Sequence, residues 1–142
     1  MMKFGYVVAV VAVAAVATSP ALADGALAVG STADVARDGI AVGTSINYGS
    51  PEAAADAALK RCKDYKPAPK AAAQCRSVGT FKDECYAVSF DPKEGTPGAG
   101  WAMAATKAQA EQRAVANCQI TAGEGRRDFC RVEESKCDGS AQ

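Results

Sequence analysis

One segment of this chain occurs twice, and each copy ends in a cysteine. Ser50 through Cys62 can be laid over Thr106 through Cys118, which places Ala54 on Ala110, Ala58 on Ala114, Leu59 on Val115 and Cys62 on Cys118. Spacings of three and four put these residues on one face of a helix. The starts match as well. Ser50 is an N-cap with Pro51 in the first turn. Thr106, with Gln109 three residues on, forms a capping-box pattern. A duplication of this kind requires the chain to fold as two related halves.

The similarity extends to both sides of the helices. Gly39-Ile40-Ala41-Val42-Gly43 precedes the first helix and Gly100-Trp101-Ala102-Met103-Ala104 the second, each alternating large and small residues as a half-buried strand does. Upstream, Ala26-Leu27-Ala28-Val29 corresponds to Ala87-Val88-Ser89-Phe90. Downstream, Cys75-Arg76-Ser77-Val78 corresponds to Cys130-Arg131-Val132-Glu133. Each half therefore reads strand, strand, helix, strand. The expected fold is a small disulfide-stabilised α+β domain with two helices on a sheet. Residues 24–142 form the domain, and its halves are about 24–83 and 84–142. Asp91 through Gly98 is a turn-rich loop inside the second half. Alanine on the inner helix faces lets helix and sheet approach closely.

Six cysteines admit 15 pairings, and the symmetry of the halves selects one. Equivalent sites pair equivalently, which gives Cys62–Cys75 and Cys118–Cys130, each tying a helix end to the strand that follows. Cys85 and Cys137 remain, and are expected to pair with each other and join the halves. Closing a loop of about a dozen residues stabilises by roughly 3 kcal/mol in the chain-entropy view. An Ala-rich chain buries little area per side chain, and at about 25 cal/mol per Å² it needs such crosslinks.

The N-terminus reads as a cleavable secretory signal. Lys3 supplies the positive charge, Phe4 through Ala17 carry none, Pro20 breaks the run, and Ala21-Leu22-Ala23 is a small-x-small pattern. Cleavage is expected between Ala23 and Asp24. The apolar run is shorter than the roughly 20 residues of a membrane span, so no stable membrane insertion is expected once it is removed. Six cysteines in an exported chain agree with a periplasmic or extracellular location. The remaining 119 residues carry 15 basic and 16 acidic side chains, a formal net charge of −1. That balance disfavours nucleic-acid binding. The local group Lys60, Arg61, Lys63, Lys66 and Lys70 lies at a helix end, where cations complement the helix dipole.

The order of these motifs resembles a known family. Ala26-Leu27-Ala28-Val29, then Gly39 through Gly43, an Ala-rich helix ending in Cys62, Cys75, Cys85-Tyr86-Ala87-Val88, a Trp101-Ala102 strand, a second helix ending in Cys118, then Cys130 and Cys137, are similar to the bacterial exported family catalogued as domain of unknown function 4189. The resemblance covers nearly the whole chain after the signal. It implies export and carries no catalytic residues. The polar stretch between Cys62 and Cys75 is long for such a domain.

The chain has no histidine, which removes Ser-His and Cys-His pairs, imidazole metal sites and the usual base near neutral pH. No nucleophile elbow, phosphate loop or C-x-x-C spacing is present. No catalytic residue, cofactor site or metal site is therefore assigned. Of the acids, Asp83-Glu84 and Glu133-Glu134 precede Cys85 and Cys137 in the two halves. They read as solvated surface unless a cleft sets two carboxyls apart with separated pKa values. Asp91 and Glu94 lack the spacing of a calcium loop, and Trp101 reads as core. The functional expectation is a non-enzymatic exported domain that recognises another protein, inhibitor-like or immunity-like, in the bacterial envelope or outside. The alternatives are a carboxylate-dependent hydrolase acting on cell-wall material and a purely structural envelope protein.

Overall fold

The computed structural model describes residues 24–142; the expected signal segment, Ala23 included, lies outside the described residues, and Asp24 opens the first strand. The first half contains β1 (Asp24–Gly30), a short α1 (Val35–Asp38), β2 (Ala41–Tyr48), α2 (Pro51–Lys63), a short α3 (Pro69–Ala72) and β3 (Arg76–Lys82). The second contains β4 (Cys85–Phe90), β5 (Ala99–Ala104), α4 (Lys107–Ala122), a 3-10 turn (Glu124–Phe129) and β6 (Arg131–Cys137). Each half forms its own antiparallel sheet, in the orders β2-β1-β3 and β5-β4-β6. The fold is α+β with two similar halves, and the expected sheet is in fact two sheets, each carrying one long helix.

The layers follow from the period-two alternation of the central strands. Ala26 and Ala28 of β1 face α2, where they bury against Ala54, Ala58 and Cys62. Leu27 and Val29 point the other way, into a cluster with Phe81 and with Tyr86 and Val88 of β4. On the far side of β4, Ala87 packs with Ala110 and Ala114 of α4. The order is helix, sheet, sheet, helix. Small residues line the two helix-facing surfaces. The large ones fill the space of about 10 Å that separates facing sheets.

Both helices begin as their sequences dictate. The Ser50 hydroxyl accepts from the Ala53 amide at 3.2 Å, and the Thr106 hydroxyl accepts from the Gln109 amide at 3.3 Å. The second strand of each half, however, matches differently from its sequence pattern. In the ladders Ala28 faces Gly43 and its counterpart Ser89 faces Gly100, so Gly43 and not Gly39 is the equivalent of Gly100. β2 accordingly starts at Ala41. Gly39 has a φ of 79° and belongs to the turn after α1.

The structure joins Cys62 to Cys75, Cys118 to Cys130 and Cys85 to Cys137. The last bond does not connect the halves. It crosslinks β4 to β6 within the second half, with the Cα atoms 3.9 Å apart. The corresponding ladder pair in the first half is Asp24 and Lys82. What connects the halves is the inter-sheet core, together with two polar ties. The buried Asp138 carboxylate accepts the amide of Asn47 at 2.6 Å, and the Val35 amide donates to the carbonyl of Thr96 at 3.2 Å.

The sisters also differ where β1 and β4 end. A Cβ on Gly30 would fall 2.0 Å from the carbonyl oxygen of Ala71, because α3 lies directly on the backbone there. Asp91 follows Phe90 at the matching place, fully buried, and Arg126 of the 3-10 turn grips it with two bonds of 2.9 and 2.6 Å. The guanidinium beside it holds the Asp91 carboxyl below the usual carboxylate range.

A candidate recognition cleft between the halves

Each sheet has a bulge at the same point of its third strand. In the first half Ser77 faces Ala28 and Gly79 faces Leu27, leaving Val78 unopposed. In the second Val132 faces Ser89 and Glu134 faces Val88, leaving Glu133 unopposed. An extra residue of this kind re-aims the side chains beside it. Val78 turns into the inter-sheet core. Glu133, its counterpart, is exposed, and both Glu133 and Glu134 line a cleft of about 360 Å³ between the halves.

The first half supplies the rest of the lining apart from Phe90. Val35 and Ala36 come from α1, Gly39, Ile40 and Val42 from β2 and the turn before it, and Tyr65, Pro67 and Ala68 from the segment after α2. Gly39 is required here twice over. Its φ is left-handed, and a Cβ would lie 2.7 Å from that of Ala68. The wall is held by charges behind it. Asp38 accepts from Thr32, Arg37 and Lys70 at 3.0, 3.1 and 3.0 Å, which ties α1 to α3. Arg37 first, then Lys70, hold the Asp38 carboxyl well below the usual range.

Glu134 is positioned from inside the fold. The Tyr86 hydroxyl donates to its Oε1, and Lys136 Nζ lies 3.1 Å from the same oxygen. Burial, with the Glu134 carboxylate adding to it, pushes the Tyr86 phenol well above its ordinary range. Tyr86 therefore stays a neutral donor. Glu133 has no ion pair among the described residues. The eight lining residues of the first half include no acid, so both carboxylates belong to the wall that β6 supplies.

The other acids singled out by sequence lie elsewhere. Asp83, with a φ of 50°, occupies the turn between β3 and β4 and accepts the Ser140 amide at 3.0 Å. The Glu84 carbonyl accepts the Asp138 amide at 2.9 Å. Neither lines the cleft, so the pairs 83–84 and 133–134 are not brought together. Trp101 is half-buried against the inter-sheet core. It narrows the reciprocal junction, shared with Val29, Ser31, Gln74 and Arg76, to about 90 Å³. Of the basic group, Lys60 pairs with Asp64, Lys70 with Asp38, and Arg61 donates to Tyr48 and to the Thr44 carbonyl. Sequence reading passed over Tyr86, Ile40 and Phe90 as site residues. Only the Glu133-Glu134 pair, next to a strand whose sister carries Val78, held a signal.

Among the described residues no helix is long and apolar enough to cross a membrane, and no three His, Cys, Asp or Glu side chains gather to hold a metal ion. Three disulfides belong to an oxidising compartment, periplasmic or extracellular. No curated protein and no solved structure matches the chain. The family description "Domain of unknown function (DUF4189)" matches residues 13–137, which spans both halves, both helices and all six cysteines. The chain belongs to the DUF4189 family.

Proposed function

We propose that this protein is a non-enzymatic recognition domain, exported to the bacterial envelope or beyond, whose inter-half cleft receives part of a protein partner. One observation carries the reading. At the position where the first half packs a half-buried Val78 against the inter-sheet core, the second half exposes Glu133 in a cleft. The sister strand folds with an apolar residue there, so folding does not demand the acid. Each wall is stiffened by crosslinks within its own half, and the inter-sheet core with its two polar ties holds the walls together, so the cleft is preformed and the entropic cost of binding is lowered. An inhibitor or immunity protein directed at a secreted toxin or wall-degrading enzyme is the concrete form of this role.

A carboxylate hydrolase needs two carboxyls flanking the scissile bond, and here both acids occupy one wall. The test is affinity capture from envelope and culture supernatant with the oxidised protein, alongside an Ala36→Trp variant that crowds the cleft rim. A single stoichiometric partner held by the first and lost by the second supports recognition through the cleft. Equal capture by both, or turnover of wall fragments that Glu134→Gln abolishes in a folded protein, overturns it.

A further inference from the structure

The chemistry of the cleft names the part of the partner that enters it, and the following rests on the recognition reading above. We propose that the cleft takes an arginine side chain of the partner, with its aliphatic stem between Ile40, Val42 and Phe90 and its guanidinium on Glu133 and Glu134. The size sets the first limit. About 360 Å³ lies at the small end of ligand pockets, room for one long side chain and not for a folded segment.

The lining sets the second. Long cationic side chains bury an apolar stem while the charged head stays near water. Here the apolar wall leads to an exposed, uncommitted Glu133 at the rim. Glu134 is already oriented through Oε1 by the buried Tyr86 hydroxyl and by the exposed Lys136 ammonium, which leaves Oε2 for an incoming donor. Two carboxylates on one wall suit the planar fork of guanidinium better than the point charge of an ammonium. Tyr65, 39% exposed, lines the same cleft and supplies an aromatic ring, a group that attracts cations.

The experiment uses the oxidised ¹⁵N-labelled protein titrated with N-acetyl-L-arginine N-methylamide and, separately, with its neutral isostere N-acetyl-L-citrulline N-methylamide. The expected result is movement of the Val42, Phe90 and Glu133 amide resonances, with the arginine probe binding about tenfold more tightly than citrulline, the worth of one charge-assisted contact. Glu133→Gln should reduce that preference at least about threefold, with the spectrum otherwise unchanged. Equal binding of the two probes, movement of resonances elsewhere, or no binding at millimolar probe overturns the arginine assignment. Any of these leaves the recognition reading standing if partner capture is still lost in Ala36→Trp. Loss of the capture result with arginine binding intact overturns the broader reading instead.

Discussion

Gly43 and Gly100 hold the same place in the two halves, each pressed against the backbone of its own helix. A Cβ on Gly43 would lie 2.0 Å from the Ala58 carbonyl oxygen, and one on Gly100 would lie 2.3 Å from that of Ala114. Both also press on the cysteine that anchors the helix end: a Gly43 Cβ would meet the Cys62 amide nitrogen at 2.3 Å, and a Gly100 Cβ the Cys118 amide nitrogen at 2.2 Å. Helix and sheet meet here mainly through main chain, which is why alanine elsewhere on these faces suffices to fill the gap.

Gly43→Ala and Gly100→Ala should each destabilise the fold by about 3 kcal/mol, the upper part of the overpacking range, because the obstructing atoms are backbone and cannot rotate away. Urea unfolding of the oxidised protein reads this as a lower midpoint with an unchanged slope. Gly125→Ala, with nothing within 4 Å of its Cβ position, is the control and should leave the midpoint unaltered.

The three disulfides should not be equal. Cys85–Cys137 spans 52 residues of sequence, while Cys62–Cys75 and Cys118–Cys130 span 13 and 12. Chain entropy gives about 4 kcal/mol for the long loop and about 3 for each short one. Paired Cys→Ala variants compared by denaturant unfolding should rank in that order.

Asp91 should shape the acid limb of stability. Its folded pKa is depressed by Arg126, so its contribution is complete above the unfolded value near about 3.9 and is lost as pH falls through the lower folded value. Asp91→Asn should abolish this component. Unfolding midpoints measured from pH 7 down to pH 2 should fall less steeply below pH 4 in the variant than in the parent protein.

Tyr86 should ionise late. Its raised folded pKa means its contribution is present below the ordinary phenol range and is lost only as pH climbs through the higher folded value. Absorbance titration near the phenolate band should show an ionisation phase delayed beyond that range, accompanied by unfolding and missing in Tyr86→Phe.

Trp101→Ala should open the junction that Trp101 now narrows. For a half-buried tryptophan the cost should be roughly 2 kcal/mol, below the 3–5 kcal/mol of a buried one. Thermal unfolding checks the cost. Partner capture should persist, because Trp101 does not line the larger cleft.

Local features of this protein were legible in the chain itself. Caps at Ser50 and Thr106, the apolar helix faces and the repeated cysteines all depend on residues within a few positions of one another, so the two-half α+β plan could be read directly. The register of β2 could not, since Gly39 and Gly43 both sit in alternating runs. The ladder with β1 and the pressure of α2 on the Gly43 backbone distinguish them, and both are tertiary. Cys85 and Cys137 could be paired by symmetry, and the boundary near residue 84 already set both in the second half, but that their bond staples β4 to β6 and leaves the halves to be joined by the core is seen only in the fold.

The candidate site was hidden more deeply. Glu133-Glu134 reads as surface because a regular strand sends neighbours to opposite faces, and the bulge that brings both to one cleft exists only once β6 pairs with β4. Sequence by itself determined the duplicated elements, their caps and the cysteine symmetry, because those are settled by neighbours along the chain. The separation into two facing sheets, the burial of Asp91 against Arg126 and the opening of one junction while Trp101 narrows the other were decided only by tertiary structure. They depend on how side-chain volumes from distant segments fill a shared space.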